Sequence, residues 1–330
     1  MSKQIDFLAI GDIVAEPFIK ITEAQEKCEE TVGQCKLCLN LGGKVPYESA
    51  EICYATGNSS NASISVSRLG LKSYLVSYVG NDLIGKENIK TLKKNRVNTK
   101  YIQKISGFKS NYHYVLWYNT ERTILVHHTE FPYKLSLKLP EAKWVYLSSL
   151  ASNSEQYHYQ ILNYLNKYPK TKLAFQPGTF QIRQGIDKLK EIYSRTEVFF
   201  SNHEEAQRIL KTEERDYTKL LKMIYNLGPK IVVITDGLNG ACAYDGNDVW
   251  FIPVYPHTPL ERTGAGDSFS STFVAALING KTIPEALTWG YVNAKSVVSF
   301  VGPHGGLLTR ENLDKLVSEI QDDYKPRKLN

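Results

Sequence analysis

Glu261-Arg-Thr-Gly-Ala-Gly-Asp-Ser-Phe269 is the stretch of this sequence whose residue types and spacing point most directly to chemistry. It runs into Ser270-Ser-Thr-Phe-Val-Ala-Ala-Leu277, a small-residue apolar segment that reads as a helix. Gly264 and Gly266 around Ala265 let backbone N–H groups converge on one point, and a helix beginning there adds its positive end. That combination holds an anion. Asp267 sets a carboxylate at its mouth. Phosphoryl transfer needs both parts: fixed dipoles to meet the charge developing on the transferred group, and a base to take the acceptor's proton. The plainer reading is a tight strand-to-helix turn capped by Asp267. The Gly-Lys-Ser/Thr of a Walker loop is absent.

Other residues stand where ligands bind in α/β proteins. Asp12 follows the apolar run Phe7-Leu-Ala-Ile10, at a strand's carboxyl end, where it could grip a polyol or cap a turn. Gly57, Asn58 and Asn61 open a helix that Gly70 stops; the two asparagines suit capping and binding equally. Asn202-His-Glu-Glu205 opens another helix, where Glu205 also fits as a first-turn acid complementing the dipole. His127 and His128 fall on opposite faces of a strand and suit structure or solvent better than catalysis. Cys28, Cys35, Cys38 and Cys53 include a C-x-x-C spacing, but no second such pair and no nearby histidine completes a zinc set. Their expected state is free thiols, and with Cys242 the count is five, odd as for reduced cysteines in a cytosol.

The elements that position these residues alternate. Strands are expected at Tyr74–Val79, Trp144–Leu147, Lys172–Phe175, Glu197–Phe200 and Lys230–Ile234, with helices at Glu87–Asn95 and Glu155–Lys167. Such alternation means a parallel sheet covered on both faces. Tyr112–Tyr118 and Thr123–His128 read as a β-hairpin interrupting that rhythm, an excursion suited to a lid. Residues 13–56 read as irregular and polar, and the tail after about Asp322 as frayed.

Composition bounds the rest. The 330 residues are 42% hydrophobic and 22% charged, and 40 Lys+Arg against 34 Asp+Glu leave +6. That is a globular chain with ample core, not a disordered, collagenous or coiled-coil one. No apolar run reaches the ~18 residues of a membrane span. The start, with one Lys and a short apolar run reaching Asp12, does not read as a signal peptide, so a cytoplasmic protein is expected. The basic run Lys90–Arg96 lacks accompanying aromatics, so no nucleic-acid partner and no membrane partner are expected.

Thr263-Gly-Ala-Gly-Asp267 resembles the carboxyl-terminal signature of the ribokinase-like (PfkB) carbohydrate and nucleoside kinases. Gly57-Asn58 with Asn61-Ala62 and Arg68-Leu-Gly70 resembles their amino-terminal signature. Val79-Gly-Asn-Asp82 with Gly85, Asn202-His-Glu-Glu205, and Thr235-Asp-Gly237 with Gly240 resemble three further segments, in family order. The resemblance implies an α/β fold: a ribokinase-like doubly wound, mostly parallel sheet with helices on both faces and a small β-sheet lid. One domain over 1–330 is then expected, with lid segments near 13–50 and 105–130. It implies Asp267 as base, the amides of Gly264, Ala265 and Gly266 around the γ-phosphoryl, and Asp12, Gly57, Asn58 and Asn61 around the substrate. It implies Asn202 and Glu205 near Mg²⁺ and its waters, and Thr235, Gly237, Gly240 and Asn293 along the nucleotide. ATP and Mg²⁺ are the implied cofactors, with room for a monovalent cation.

The sequence departs from that pattern in places. Glu261-Arg262 stands where the family usually has Asp-Thr, which bears on metal and monovalent-cation binding and makes Arg262 a candidate contact for a nucleotide phosphate. The Gly-Gly-Lys-Gly of ribokinase proper is absent, and Gln176-Pro-Gly178 replaces an Asp-Pro-Asn segment. The expectation is therefore an ATP-dependent phosphotransferase acting on a sugar hydroxymethyl. A nucleoside kinase is the alternative, with Tyr112, Tyr114, Trp117 and Tyr118 able to stack a base. A non-catalytic sensor would have lost the base or the glycine nest, and both are present. A lid of this kind also suits pairing of two copies into a homodimer.

Overall fold

The computed structural model of the chain describes residues 4–29, 34–119, 121–254 and 258–329. One large sheet has the order Arg327–Leu329, Val249–Ile252, Ala241–Tyr244, Ile231–Thr235, Val198–Asn202, Lys172–Phe175, Ala142–Leu147, Ile5–Ile10, Ser73–Gly80, Asn98–Ile105. Neighbours from Ile231–Thr235 to Asn98–Ile105 run parallel, and the three strands beyond Ile231–Thr235 are antiparallel.

The apolar runs explain the layers. A strand buried on both faces needs apolar residues at every position. In Ile5–Ile10, Phe7 and Ala9 join one core while Leu8 and Ile10 join the other. Trp144 and Tyr146 against Val145 and Leu147 repeat the division, as do Val198 and Phe200 against Phe199. The first core is closed by the helices Asn58–Arg68, Ala265–Ile278 and Ile283–Val297; the second by Glu155–Lys167, Ile186–Arg195 and Tyr217–Tyr225. Each fully buried Phe or Leu contributes roughly 1.5–3 kcal/mol.

A second, five-stranded sheet lies off the first. Its order is Glu121–Leu125, Tyr114–Tyr118, Val14–Ile21, Tyr47–Thr56, with Asn111–Tyr112 also paired to Val14–Ile21. Much of residues 13–56, expected as irregular, is thus strand: the polar character reflects a sheet with one open face. Gln25–Glu29 and Gln34–Cys38 form a separate two-stranded ribbon.

Two more expectations are corrected. Cys28 and Cys35 are not free thiols: they sit directly opposite in that ribbon, within reach of each other, and form a disulfide. Cys38, three positions beyond Cys35, points to the other face, and Cys53 lies opposite Glu16 in the small sheet, so no four-cysteine set assembles. The tail is not frayed. Asp322–Tyr324 is a 3₁₀ turn and Arg327–Leu329 an edge strand, held by Arg327 over the Phe251 ring at 5.3 Å and by Lys328 on Asp248 at 2.6 Å.

Candidate active site

The parallel strands end at one edge of the large sheet, and Gln176, Asn202 and Thr235 stand at or just past those carboxyl ends. The helices Asn58–Arg68 and Ala265–Ile278 begin at the same edge, as the Gly57 and Gly264 turns require. Both glycines have positive φ, 91° and 81°. A Cβ at Gly57 would stand 2.8 Å from the Asp12 carbonyl oxygen, and one at Gly264 2.4 Å from Cβ of Pro303. Only glycine fits either place.

Asp267 is buried in the first turn of the helix Ala265–Ile278, 8% exposed. Three amides converge on it. Asn58 Nδ2 donates to Oδ1 at 2.8 Å, Asn61 Nδ2 to Oδ2 at 2.7 Å, and Gln176 Nε2 to Oδ1 at 3.2 Å. Burial raises its pKa above the ordinary 3.8, with Glu16 adding to the rise, while the three amide donors pull it back. Asp267 therefore holds a proton more tightly than a free carboxylate, which suits a base.

The amides that hold Asp267 are themselves held. The Tyr146 hydroxyl donates to Gln176 Oε1, leaving its Nε2 for Asp267. His304 Nε2 lies 2.9 Å from Asn61 Oδ1. Since Asn61 gives its amide hydrogens to Asp267, that oxygen accepts and His304 donates from Nε2. Arg68 in turn donates to the His304 and Leu307 carbonyls. Gln176 and His304 were not assigned to the site from sequence: Gln176 stood out only as a departure, and His304 lies 243 positions from its partner.

Two clefts meet here. One of about 570 Å³ is lined by Thr235, Gly237, Gly240, Ala265 and Gly266, together with Tyr291, Ala294 and Lys295. The other, about 280 Å³, is lined by Gly57, Asn58, Asn61, Glu205, Gly264 and Asp267, with Glu16 and Gln176. The helix geometry leaves the first amides after Gly264 without intrahelical acceptors; Ala265 N–H turns to the Arg262 carbonyl at 3.4 Å, and Gly266 lines both clefts.

Asn202 and Glu205 cap each other: Asn202 Oδ1 accepts from the Glu205 N–H at 2.7 Å, and Glu205 Oε2 accepts from the Asn202 N–H at 2.9 Å. Both also line the small cleft, where burial raises the Glu205 pKa. Capping and facing a ligand are combined in this pair.

Asp12, Asn293 and three lid tyrosines are elsewhere. Asp12 does not line either cleft. Its side chain is 1% exposed and accepts from the Tyr133 hydroxyl at 2.9 and 2.7 Å, with His128 Nδ1 at 3.3 Å. Glu16, two side-chain alternations further on, reaches the cleft from the small sheet instead. Asn293 is fully buried and bonds Thr272 at 2.7 Å, Ser65 at 3.3 Å and the Leu308 N–H at 3.0 Å; its helix turns Tyr291 and Ala294 to the cleft. Tyr112, Tyr114 and Tyr118 do not stack over the site. Strand alternation turns Tyr114 outward, 46% exposed and against Tyr112, and sends Val115 and Trp117 inward.

The chain's residues 35–309 match the family model described as pfkB family carbohydrate kinase. The chain belongs to the pfkB family of carbohydrate kinases. As a member it is a phosphotransferase, and Thr263–Asp267 lies within the matched residues. This pfkB-family chain is 25% identical over 261 residues to an ATP-dependent 6-phosphofructokinase of Thermoanaerobacterium thermosaccharolyticum, covering 76% of the chain and 80% of that protein. It is 25% identical to a nucleoside kinase of Methanothermobacter thermautotrophicus over 94% of the chain and 93% of that protein. In fold it is similar to ribokinase from Giardia lamblia, with a TM-score of 0.80, 19% identity, and coverage of 97% of the chain and all of that structure (100%). No helix among the described residues is long and apolar enough to cross a membrane.

Proposed function

We propose that this kinase transfers the γ-phosphoryl of ATP to a hydroxymethyl group of a sugar, with Asp267 as the base. The observation that carries the reading is Asp267 itself: a buried carboxylate with raised pKa, fixed by three amides, where a larger cleft and a small polar one meet. The larger cleft has room for a nucleoside triphosphate, with Thr235, Gly237 and Gly240 along it. The smaller suits a polyol, with Glu16, Asn58, Asn61 and Gln176 to engage hydroxyls and Gly57 in its lining.

In the step, Asp267 takes the acceptor's proton as its oxygen bonds to the γ-phosphorus. The bond from that phosphorus to the bridging oxygen breaks, and ADP leaves with the electron pair. The amides of Gly264, Ala265 and Gly266 meet the charge on the transferring oxygens. Mg²⁺ fits beside Asn202 and Glu205, since Glu205 uses only Oε2 in its cap and burial in the cleft favours a cationic neighbour; bound there, it would screen phosphate charge. A monovalent cation fits Glu261, whose Oε2 is buried without a hydrogen-bond partner.

The small sheet acts as a lid, and its outer face exposes Ile52 (45%), Tyr114 (46%) and Leu125 (53%), which supports pairing of two copies through it. The outward tyrosines remove the stacking argument for a nucleoside. Assaying ADP release across sugars and nucleosides tests the reading: turnover confined to nucleosides overturns the sugar assignment, and no turnover or ATP binding overturns it entirely.

A further inference from the structure

Arg122 is one of seven residues that line both clefts, and with Arg262 it is one of the two cations among them. If one cleft holds the phosphoryl donor and the other the acceptor, the phosphoryl crosses where these residues stand. Arg122 reaches that place from the small sheet. On the strand Glu121–Leu125 it shares the inner side with Ile124, opposite the buried Trp117. Alternation points Glu121 the other way, and it lines the larger cleft but not the smaller.

The charges around it are reciprocal. Arg122 NH1 stands 3.4 Å from Glu261 Oε1, and Arg262 NH1 stands 3.1 Å from Glu121 Oε1. Two adjacent strand residues thus pair with the two residues that open the glycine turn, which registers the strand on that turn. The pairs are not equivalent. Glu121 and Arg262 are 70% and 40% exposed, so solvent screens them. Glu261 is 2% exposed, Arg122 30%.

The contact between Arg122 and Glu261 is also incomplete. Charge-assisted bonds close to about 2.7–2.9 Å. Here a single nitrogen stands at 3.4 Å, and Glu261 Oε1 is already served by the Thr263 N–H at 2.7 Å and the Thr263 hydroxyl at 2.5 Å. Among the described residues this is the one polar contact that Arg122 makes. A guanidinium has five N–H donors in a planar fork that matches phosphate oxygens, so it can keep Glu261 and still offer its free edge to an anion.

We propose that Arg122 is a catalytic residue whose guanidinium, carried in on the small sheet and oriented by Glu261, contacts the phosphoryl group during its transfer. This rests on the kinase reading above. Atoms and electrons balance as in that step: Arg122 neither takes nor gives a proton, and it meets charge on the equatorial oxygens while the bond to the bridging oxygen breaks. It also makes transfer depend on the small sheet being seated, so that ATP is spared until substrate and sheet are in place.

The competing role is structural: Arg122 neutralises Glu261 and nothing more. Arg122→Ala and the double variant Arg122→Ala/Glu261→Gln separate the two. ADP and ATP affinity are measured by calorimetry on each, beside kcat on the sugar that wild type uses. The expected result is a kcat loss of about 10²–10³-fold in Arg122→Ala, ADP affinity within about threefold of wild type, and no recovery in the double variant. Recovery of kcat in the double variant, an equal loss of ADP affinity, or a kcat within about threefold of wild type overturns the proposal. Wild type that neither turns over nor binds ATP instead overturns the kinase reading, so the two failures are distinct.

Discussion

Asn61 donates to the Asp267 carboxylate at 2.7 Å, across 206 positions of sequence, and thereby joins the start of one helix to the start of another. The bond holds the carboxylate in place and favours its charged form. A hydrogen bond to a charged group is worth about 1.5–3 kcal/mol, so Asn61→Ala is expected to lower kcat about 10–150-fold. It should also change the pH profile. The base works deprotonated, so rate falls as pH drops through a pKa that burial has raised above 3.8. Removing a donor that lowers that pKa moves the acid limb to higher pH. A pH–rate profile checks this; an unmoved acid limb would separate Asn61 from the base.

His304 positions Asn61 and carries its own pH signature. Burial and the nearby Arg68 push its pKa down from 6.5 to about 3, and burial takes His158 to about 4. Between those values and 6.5 the unfolded chain binds more protons than the folded one. The stability these neutral rings contribute is complete above pH 6.5 and is lost as pH falls toward 3. Each contributes a slope of about 1.4 kcal/mol per pH unit within its window. Urea unfolding at pH 7 and pH 4.5 should show a shallower acid loss in His304→Gln than in wild type. Equal losses would place the titration elsewhere.

Much of the site could be read from the sequence, for a physical reason. A glycine nest followed by an acid is a local device, and its backbone conformation and chemistry are confined to a few consecutive residues. Thr263–Asp267, Gly57–Asn61 and the Asn202–Glu205 cap are of this kind. Residues chosen by which way an element faces were harder. Asn293 and Tyr291 are two positions apart on one helix, and only its packing on Thr272 and Ser65 shows which faces the cleft. Glu16 escapes a sequence reading for a similar reason, because its strand belongs to a sheet that polar composition disguises. Gln176 and His304 act through partners 91 and 243 positions away, and no local signal announces such a bond.

Gly57 tests whether the close approach of backbone to backbone matters. Gly57→Ala forces a Cβ to 2.8 Å from the Asp12 carbonyl oxygen at a φ of +91°. The expected cost is about 1–3 kcal/mol of stability, read as a lower urea midpoint, with reduced kcat because Asn58 is the next residue. A variant as stable as wild type would mean the turn relaxes freely.

The cysteines give a chemical check on the ribbon. Of five in the sequence, Cys38, Cys53 and Cys242 are free. Burial pushes Cys53 and Cys242 up to about 12, so both should react slowly in the folded protein. Thiol titration of chain unfolded without reductant should find three groups, and five after reduction. Five before reduction would show Cys28 and Cys35 unpaired.

The most direct measurement is turnover of Asp267→Asn beside wild type, with ATP, Mg²⁺ and a panel of sugars and nucleosides. Wild type should release ADP with at least one sugar bearing a hydroxymethyl group. The variant should lose about 10³-fold or more in kcat while ATP still binds. An Asp267→Asn protein that turns over at the wild-type rate would contradict the role of this carboxylate and, with it, the mechanism built on it.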